Sequence, residues 1–256
     1  MHIVAANQHP THSPWPYLAS CAALFIIFFT LMILVTRVPA VSSLDAQLSQ
    51  SLQTLRNPIM DRLMLGTTLL ADLIVTNFIV AGIVVLLLST RQWWLSLHLV
   101  CVYAAAKSAV VVFKILIARA RPELSQGALE FFSFPSGHAC AAAVVSCAAS
   151  SLIAYGQPRR LQYLIYAAGL LVAVLVALSR VYLLAHWPSD VLAGATLGYA
   201  LGIAFIWQLH TSTLHRVKHH APLILMVCAL TFTIYLYLSF TEKASDYGIH
   251  FAQLSA

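Results

Sequence analysis

The chain has 256 residues, of which 61% are hydrophobic and only 9% are Asp, Glu, Lys or Arg. A mean hydropathy of +0.85 excludes an ordinary soluble domain, because such domains carry roughly 25% charged residues. The formal net charge is +6, and we expect the partner of this chain to be a lipid bilayer and not a nucleic acid.

Apolar runs of about 18 residues or more predict membrane-spanning helices. Seven such runs occur, at 17–36, 69–89, 93–113, 138–155, 161–178, 191–209 and 223–240. The connections are short, and no stretch is long enough for a separate soluble domain. The sequence therefore predicts an all-α, polytopic membrane helical bundle. We expect residues 1–16 to be a flexible N-terminal segment, 17–209 to be the membrane domain, and 210–256 to be a basic loop, an extra span and a tail.

A non-spanning segment at 42–63 separates the first two predicted spans. Its apolar residues recur at the three- and four-residue steps of a helix, at Leu44, Leu48, Leu52, Leu55, Ile59 and Leu63. Asn57-Pro58 predicts an interruption. We predict an interfacial helix here, although a helix packed on the bundle surface would give the same pattern.

Cysteine and histidine patterns give no sign of a metal or other cofactor. The five cysteines all lie in predicted spans and form no C-x-x-C pair, which is typical of small buried side chains. Between spans six and seven, His210, His215, His219 and His220 surround Arg216 and Lys218. This composition favours a basic loop beside the membrane over a metal site.

Three polar clusters interrupt this apolar chain, at 114–122, 135–138 and 179–190. The alternation of seven spans places all three on one side of the membrane. The connections on the other side carry basic residues without acids, namely Arg91, Arg159, Arg160, Arg216 and Lys218. By the positive-inside rule those connections are cytoplasmic, so the clusters are expected outside the cytoplasm.

The cations of these clusters suit a phosphate group, since phosphoryl transfer needs positive charge and N–H donors around the equatorial oxygens. Lys114 and Arg121 are seven residues apart, about two turns of a helix, and would face the same way if the helix persists. Pro122 predicts a break near Arg121. Arg180, at the end of the fifth span, adds a planar fork for phosphate oxygens.

The remaining cluster residues supply a helix N-terminus and acid–base groups. Ser136 and Gly137 precede the fourth span, where small residues let an anion approach backbone N–H groups. His138 can protonate a leaving oxygen. Asp190 is expected in the first turn of the sixth span, where it can orient His186 by bonding one ring nitrogen and leave the other free to attack.

The three clusters resemble the signatures of the type 2 phosphatidic acid phosphatase (PAP2) superfamily, which read K-x6-R-P, P-S-G-H and S-R-x5-H-x3-D; every specified position is matched here. The resemblance implies a six-helix core, a site facing the periplasm or lumen, and hydrolysis without a metal through a phosphohistidine. We expect the chain in a bacterial inner membrane with the site on the periplasmic side. It implies that Lys114, Arg121, Ser136, Gly137 and Arg180 bind phosphate. It also implies that His138 is the acid and His186 the nucleophile, assisted by Asp190.

Substrate identity stays open in the sequence. Undecaprenyl diphosphate, phosphatidylglycerol phosphate, phosphatidate and lipid A phosphate all fit, and a phosphotransferase would use the same groups. A transporter or scaffold is disfavoured because few polar residues lie deep in the spans. Two further residues are candidate substrate contacts: Ser179, which begins the third signature, and Lys107, which could instead pair structurally with Asp72.

Overall fold

The computed structural model describes residues 13–122, 132–211, 221–247 and 249. In these ranges the chain is entirely helical outside its turns, which confirms the predicted class. The helices are α1 (Trp15–Arg37), α2 (Pro39–Gln53), α3 (Pro58–Leu69), α4 (Leu73–Ser89), α5 (Trp93–Ile117), α6 (Gly137–Ala154), α7 (Arg159–Tyr182), α8 (Pro188–Thr211) and α9 (Ala221–Asp246). The histidines at 215, 219 and 220 lie outside the described residues.

Six of these helices are long and apolar enough to cross a membrane, and α3 with α4 adds a seventh candidate if that bent pair forms one span. The second predicted span began too early, because Leu69 still belongs to α3. The side chain of Asp72 accepts the Ile74 N–H and caps α4, so the chain bends by 43° between the two helices. The other predicted spans agree with α1 and α5–α9.

Helices α6 and α8 form the centre of the bundle and are the most buried spans. They approach closely because α8 presents glycines to α6. A Cβ on Gly194 would lie 2.2 Å from the Ser136 carbonyl oxygen, and one on Gly198 would lie 2.4 Å from that of Cys140. Helix α1 packs on α8, α7 packs on α6, and α5 contacts both central helices. This packing fixes the start of α6 beside the start of α8.

The segment between the first two spans is helical as predicted, but most of its apolar stripe does not face the bundle. Leu44 and Leu48 are exposed, whereas Asp45 and Ser49 are buried. The Gln53 side-chain amide donates to the Tyr182 carbonyl at 2.8 Å. Leu52 packs against Ala139, Val181 and Val191, so α2 contacts the bundle through this leucine and its polar face. Leu44 and Leu48 point away from the protein, as they would in an interfacial helix.

The extra C-terminal helix α9 packs against α4 and α3. Gly82 admits it, because a Cβ there would lie 2.5 Å from Val227 Cγ1. Beyond its end, Ile249 joins a buried cluster with Leu65 and Tyr182. Helix α9 is thus an integral part of the bundle.

Candidate active site

The three polar clusters meet at one end of the bundle, where α5 and α7 end and α6 and α8 begin. The Ser136 N–H donates to the Asp190 carbonyl at 2.9 Å and joins the second cluster to the third. Arg121 Nη1 donates to the Ala185 carbonyl at 2.5 Å and joins the first to the third. The proximity expected from the span count is therefore present in the structure.

Helix α5 does not persist as far as Arg121, so Lys114 and Arg121 do not share a helical face. The helix stops at Ile117, and Ala118 adopts the left-handed conformation with φ 47°. A non-glycine residue there costs about 1 kcal/mol or more, and no glycine signals the turn in the sequence. Arg121 therefore leaves the helix before Pro122 and reaches the site from an extended segment.

Lys114 and Arg121 approach the site from different directions. Lys114, in the last turn of α5, donates from Nζ to the carbonyls of Phe132 and Ser133. Arg121 Nη1 lies 3.4 Å from Nε2 of His186. The ring nitrogen expected to attack thus faces a guanidinium group.

Arg180 is 1% exposed and lies in the last turn of α7 beside the site. Its Nη1 donates to Thr68 Oγ1 at 2.8 Å and to Tyr247 Oη at 2.6 Å. Its carbonyl accepts the N–H groups of Ala185 and His186 at 3.0 and 3.2 Å. The backbone of His186 is therefore tied directly to the residue that carries the buried guanidinium.

His186 and Asp190 are close, but a serine lies between their polar atoms. His186 Nδ1 is 3.7 Å from Asp190 Oδ2, beyond an ordinary hydrogen bond. Ser133 Oγ lies 3.4 Å from Nδ1 and donates to the same carboxylate oxygen. Because the hydroxyl proton is used on Asp190, Ser133 accepts from Nδ1–H, and this leaves Nε2 unprotonated.

Burial and neighbouring cations lower the pKa of His186 and of Arg121, two site residues that lie between helices. Burial, with the charges of Arg180, Arg121 and Lys114, holds the pKa of His186 well below its ordinary value of 6.5. Burial, with Arg180, lowers the pKa of Arg121 to about 10. At neutral pH the imidazole is therefore neutral and the guanidinium remains charged.

Asp190 belongs to a second group of charges, which we call the ion-pair network: Asp45, Arg119, Ser133, Ser189 and Asp190. Arg119 pairs with Asp190 at 2.6 Å and with Asp45 at 2.7 Å. Asp45 also accepts from the N–H and hydroxyl of Ser189 at 3.0 and 2.5 Å. The network joins α2, the α5–α6 connection and α8.

Helix α8 begins at Pro188, so Asp190 lies in its first turn as predicted, and that turn is capped from two directions. Asp190 Oδ2 accepts the Trp187 N–H at 2.9 Å, and Asp45 accepts the Ser189 N–H. Both carboxylates satisfy N–H groups that a helix start leaves unpaired, and they complement its positive dipole end. The capping fixes Asp190 relative to the ring of His186.

The second cluster forms the start of α6. Ser136 is its N-cap, and Oγ accepts the Ala139 N–H at 3.4 Å. A Cβ on Gly137 would meet Val110 at 3.5 Å, an ordinary contact, so protein packing alone does not require glycine there. His138 makes no hydrogen bond within the described residues, and the charges of Arg180, His186, Lys107 and Arg121 act on it.

The two further candidates are occupied by protein contacts. Ser179 Oγ donates to the Val176 carbonyl at 2.7 Å within α7, which gives its hydroxyl a structural partner. Lys107 Nζ lies 5.2 Å from the centre of the Tyr103 ring. Within the described residues no ion pair joins Lys107 to Asp72.

We call the group formed by Lys114, Arg121, His138, Arg180 and His186 the cationic pocket. Within the described residues, no carboxylate lies at ion-pair distance from Lys114 or Arg180. Their hydrogen-bond acceptors are neutral carbonyls and hydroxyls. Buried positive charge without a counter-charge is costly, and an anion that enters the pocket supplies the missing charge.

Comparisons with known proteins agree with this geometry. The sequence profile of the PAP2 superfamily matches residues 93–214. The chain is 32% identical over 185 residues to phosphatidylglycerophosphatase B of Bacillus subtilis, covering 68% of this chain and 88% of that protein. The chain belongs to the PAP2 superfamily.

Two further matches place this PAP2 protein among known relatives. It is 36% identical over 87 residues to an undecaprenyl-diphosphatase of Sulfolobus acidocaldarius, covering 34% of this chain and 38% of that protein. The crystal structure of a transmembrane PAP2 type phosphatidylglycerolphosphate phosphatase from Bacillus subtilis superposes with a TM-score of 0.70 at 28% identity. It covers 77% of this chain and 99% of that one.

Five residues at this PAP2 site escaped the sequence analysis: Asp45, Thr68, Arg119, Ser133 and Tyr247. Arg119 and Ser133 lie inside the matched region, and the other three lie outside it. A weak signal existed for Asp45, because a carboxylate in an otherwise uncharged stretch of predicted helix needs a partner when buried. Nothing in the sequence links Thr68 or Tyr247 to Arg180, because those contacts depend on tertiary packing.

Proposed function

We propose that this PAP2 protein hydrolyses the phosphate monoester or diphosphate of a membrane lipid through a phosphohistidine on His186. The observation that carries the proposal is the pair of environments around this ring. Nε2 faces Arg121, while Nδ1 faces Ser133 and, through it, Asp190. A neutral imidazole with this tautomer is a nucleophile directed into a site for an anion.

In the first step Nε2 attacks phosphorus, the N–P bond forms and the P–O bond to the lipid breaks. His138 gives its proton to the leaving oxygen. Lys114, Arg121 and Arg180, with the Ser136 hydroxyl and the Gly137 N–H, hold the charge on the equatorial oxygens. The imidazolium that develops on His186 is stabilised by the Ser133–Asp190 link.

In the second step water attacks the phosphohistidine. His138, now neutral, takes a proton from the water as the new P–O bond forms and the N–P bond breaks. Inorganic phosphate and the original imidazole result. Every charge that this sequence requires is supplied by side chains, so we propose that it proceeds without a metal.

The lipid tail has a candidate site next to the pocket. A cavity of about 380 Å³ lies between α4, α6, α7 and α9 and is lined by residues such as Ala142, Val176 and Phe232. Ala142 follows His138 by four residues and Val176 precedes Arg180 by four, so each lies one helical turn from the pocket on the same face. This supports a substrate whose headgroup enters the pocket while its tail lies among the helices.

The names of the relatives favour phosphatidylglycerol phosphate and undecaprenyl diphosphate among the candidates. The proposed location is a bacterial inner membrane with the pocket on the periplasmic side, as the basic residues of the opposite connections indicate. Reactivity of a cysteine introduced at Trp187 towards an impermeant maleimide in intact cells tests this orientation.

The proposal is tested with purified protein in detergent micelles, in EDTA. Phosphatidylglycerol phosphate, phosphatidate, undecaprenyl diphosphate and lipid A are offered separately. We expect release of inorganic phosphate from at least one, and acid-labile, alkali-stable label on the protein after a brief reaction with 32P-labelled substrate. Label that passes to an added acceptor lipid in place of water would identify a phosphotransferase, and no turnover of any lipid would refute the proposal.

The tail site has its own matched test. Ala149→Phe places a ring in the cavity, whereas Ala167→Phe makes the same change on the exposed face of α7. We expect the first to lower kcat/KM for dioleoyl phosphatidate but not for dihexanoyl phosphatidate, and the second to change neither. Equal loss on both substrates would contradict a tail site in this cavity.

A further inference from the structure

Tyr247, the residue that directly follows the C-terminal helix α9, contacts the buried guanidinium of Arg180. Tyr247 Oη accepts from Arg180 Nη1 at 2.6 Å, and the guanidinium carbon lies 5.6 Å from the centre of the tyrosine ring. The PAP2 profile ends at residue 214, so this contact comes from a part of the chain that the profile does not contain.

The second acceptor of Nη1 is Thr68 Oγ1, on α3, at 2.8 Å. A guanidinium Nη group carries two hydrogens, and the two hydroxyls therefore use both. The edge left for a ligand is formed by Nε and Nη2, which is a fork that matches two oxygens of a phosphate.

Arg180 Nε is buried and has no hydrogen-bond partner within the described residues. An unsatisfied buried donor costs about 1–3 kcal/mol, and such groups are rare in folded proteins unless they serve a purpose. The unpaired atom lies on the edge that Thr68 and Tyr247 leave free. A phosphate oxygen would satisfy it.

Backbone contacts hold Tyr247 in place. Its N–H donates to the Ala244 carbonyl at 3.2 Å, and the Ile249 N–H donates to the same oxygen at 2.9 Å. Ala244 and Ile249 pack with Leu65 of α3 in a buried cluster, against which the Tyr247 ring lies. These contacts fix Tyr247, the residue after α9, against α3, which also carries Thr68.

We propose that Tyr247, together with Thr68, is a positioning residue that fixes the guanidinium of Arg180 with its Nε edge turned towards the phosphate. Helix α9 is then part of the phosphatase unit, and a chain that ended after α8 would bind phosphate poorly. The inference rests on the proposed function of the pocket, since it assigns Arg180 to the substrate phosphate.

The test compares Tyr247→Phe and Thr68→Val, which each remove one acceptor, with Thr68→Ser, which keeps it. Tyr237→Phe is the matched control on α9, because Tyr237 is 87% exposed. Dioleoyl phosphatidate in micelles gives kcat and KM. Orthovanadate, which imitates phosphate, gives a dissociation constant from the rise of the melting temperature and needs no turnover.

We expect Tyr247→Phe and Thr68→Val each to weaken vanadate binding and raise KM by about tenfold, the scale of one hydrogen bond to a charged group, with a smaller change in kcat. Thr68→Ser and Tyr237→Phe should stay within about twofold of wild type on the same scale. One pair of results overturns the proposal. Tyr247→Phe would lower the melting temperature but leave the vanadate dissociation constant and KM unchanged, while Arg180→Lys would raise both constants. If wild type binds vanadate but turns over no lipid, the proposed function fails and the vanadate comparison still decides the role of Tyr247.

Discussion

The ion-pair network and the cationic pocket lie side by side, and they differ in what their cations contact. In the network, Arg119 is held by the carboxylates of Asp45 and Asp190. In the pocket, Lys114 is held by carbonyl oxygens and Arg180 by hydroxyls. A carboxylate both orients a cation and neutralises its charge. A neutral oxygen orients the cation but leaves its positive charge available to attract an anion.

The two kinds of contact suit different tasks: the ion-pair network keeps the structure rigid, and the cationic pocket can bind an anion. A neutralised buried network keeps its elements in one arrangement, and removal of one partner leaves an unpaired charge. A pocket of cations held by neutral groups keeps a positive potential at the place where an anionic transition state forms. Asp190 belongs to the network by its contacts and serves the pocket through Ser133, so it is where the two regions meet.

The largest effect is expected inside the pocket. His186→Asn removes the proposed nucleophile, and we expect turnover to fall by at least about 10³-fold, as it does when a nucleophile is removed from a covalent mechanism. Release of phosphate from the preferred lipid measures it, with circular dichroism and melting temperature as checks of folding. A folded variant that retains more than a tenth of wild-type turnover would remove His186 from the proposed role.

Asp190→Asn changes the residue shared by both regions. The amide has the shape of the carboxylate but lacks the negative charge that pairs with Arg119 and accepts from the Ser133 hydroxyl. The change therefore weakens the preference for the His186 tautomer whose Nε2 is unprotonated. We expect kcat to fall by about 10²-fold, less than the loss seen when a directly bonded carboxylate of a triad is changed. An unchanged KM for the lipid would show that the phosphate site is intact. If kcat/KM fell only because KM rose, with kcat unchanged, the positioning role would be contradicted.

Asp45→Asn disrupts the network away from the pocket. The Arg119–Asp45 pair is nearly buried, and breaking such a pair costs about 3–5 kcal/mol. We expect a clear loss of melting temperature with about a tenfold loss of kcat. Asp246→Asn is the control, because its pair with Lys243 is exposed and worth at most about 1 kcal/mol. If Asp45→Asn abolishes turnover as fully as His186→Asn without a change in melting temperature, the network and pocket are not separable.

The sequence predicted the pocket better than the network, and the reason is local. Two pocket residues follow from spacing, because Arg180 and His186 lie on one corner between α7 and α8 and the chain alone brings them together; the same corner carries Asp190 to the edge of the pocket. The network depends on the polar face of α2, for which Asp45 gave only a weak signal, and on the left-handed turn at Ala118, which no glycine marks. The leucines of α2 gave a clear helical stripe, yet the contact that places the helix is made by Asp45 on the neighbouring face.

The pH dependence of stability distinguishes the two regions through His186. Its pKa lies well below 6.5 in the folded protein, so below about pH 6.5 the unfolded chain binds more protons and stability falls as the pH falls. We expect the melting temperature of wild type in detergent to decrease from pH 7 to pH 5, and that of His186→Asn to decrease less. Identical pH profiles for the two proteins would mean that His186 is not held neutral by the pocket.

The smallest effect is expected at Lys107, which lies near the pocket but outside it. Its ammonium group stacks on Tyr103, whose hydroxyl is fixed by Thr76 and Asn77 of α4 at 2.8 Å each, so the charge has a structural partner at hand. Lys107→Met keeps the length of the side chain. Farnesyl phosphate and farnesyl diphosphate form a pair of substrates that differ only in the headgroup. We expect the ratio of their kcat/KM values in Lys107→Met to stay within about twofold of the wild-type ratio, a change smaller than one exposed cation–π contact is worth. A tenfold selective loss for the diphosphate would instead assign Lys107 to a second phosphate and extend the cationic pocket by about two turns along α5.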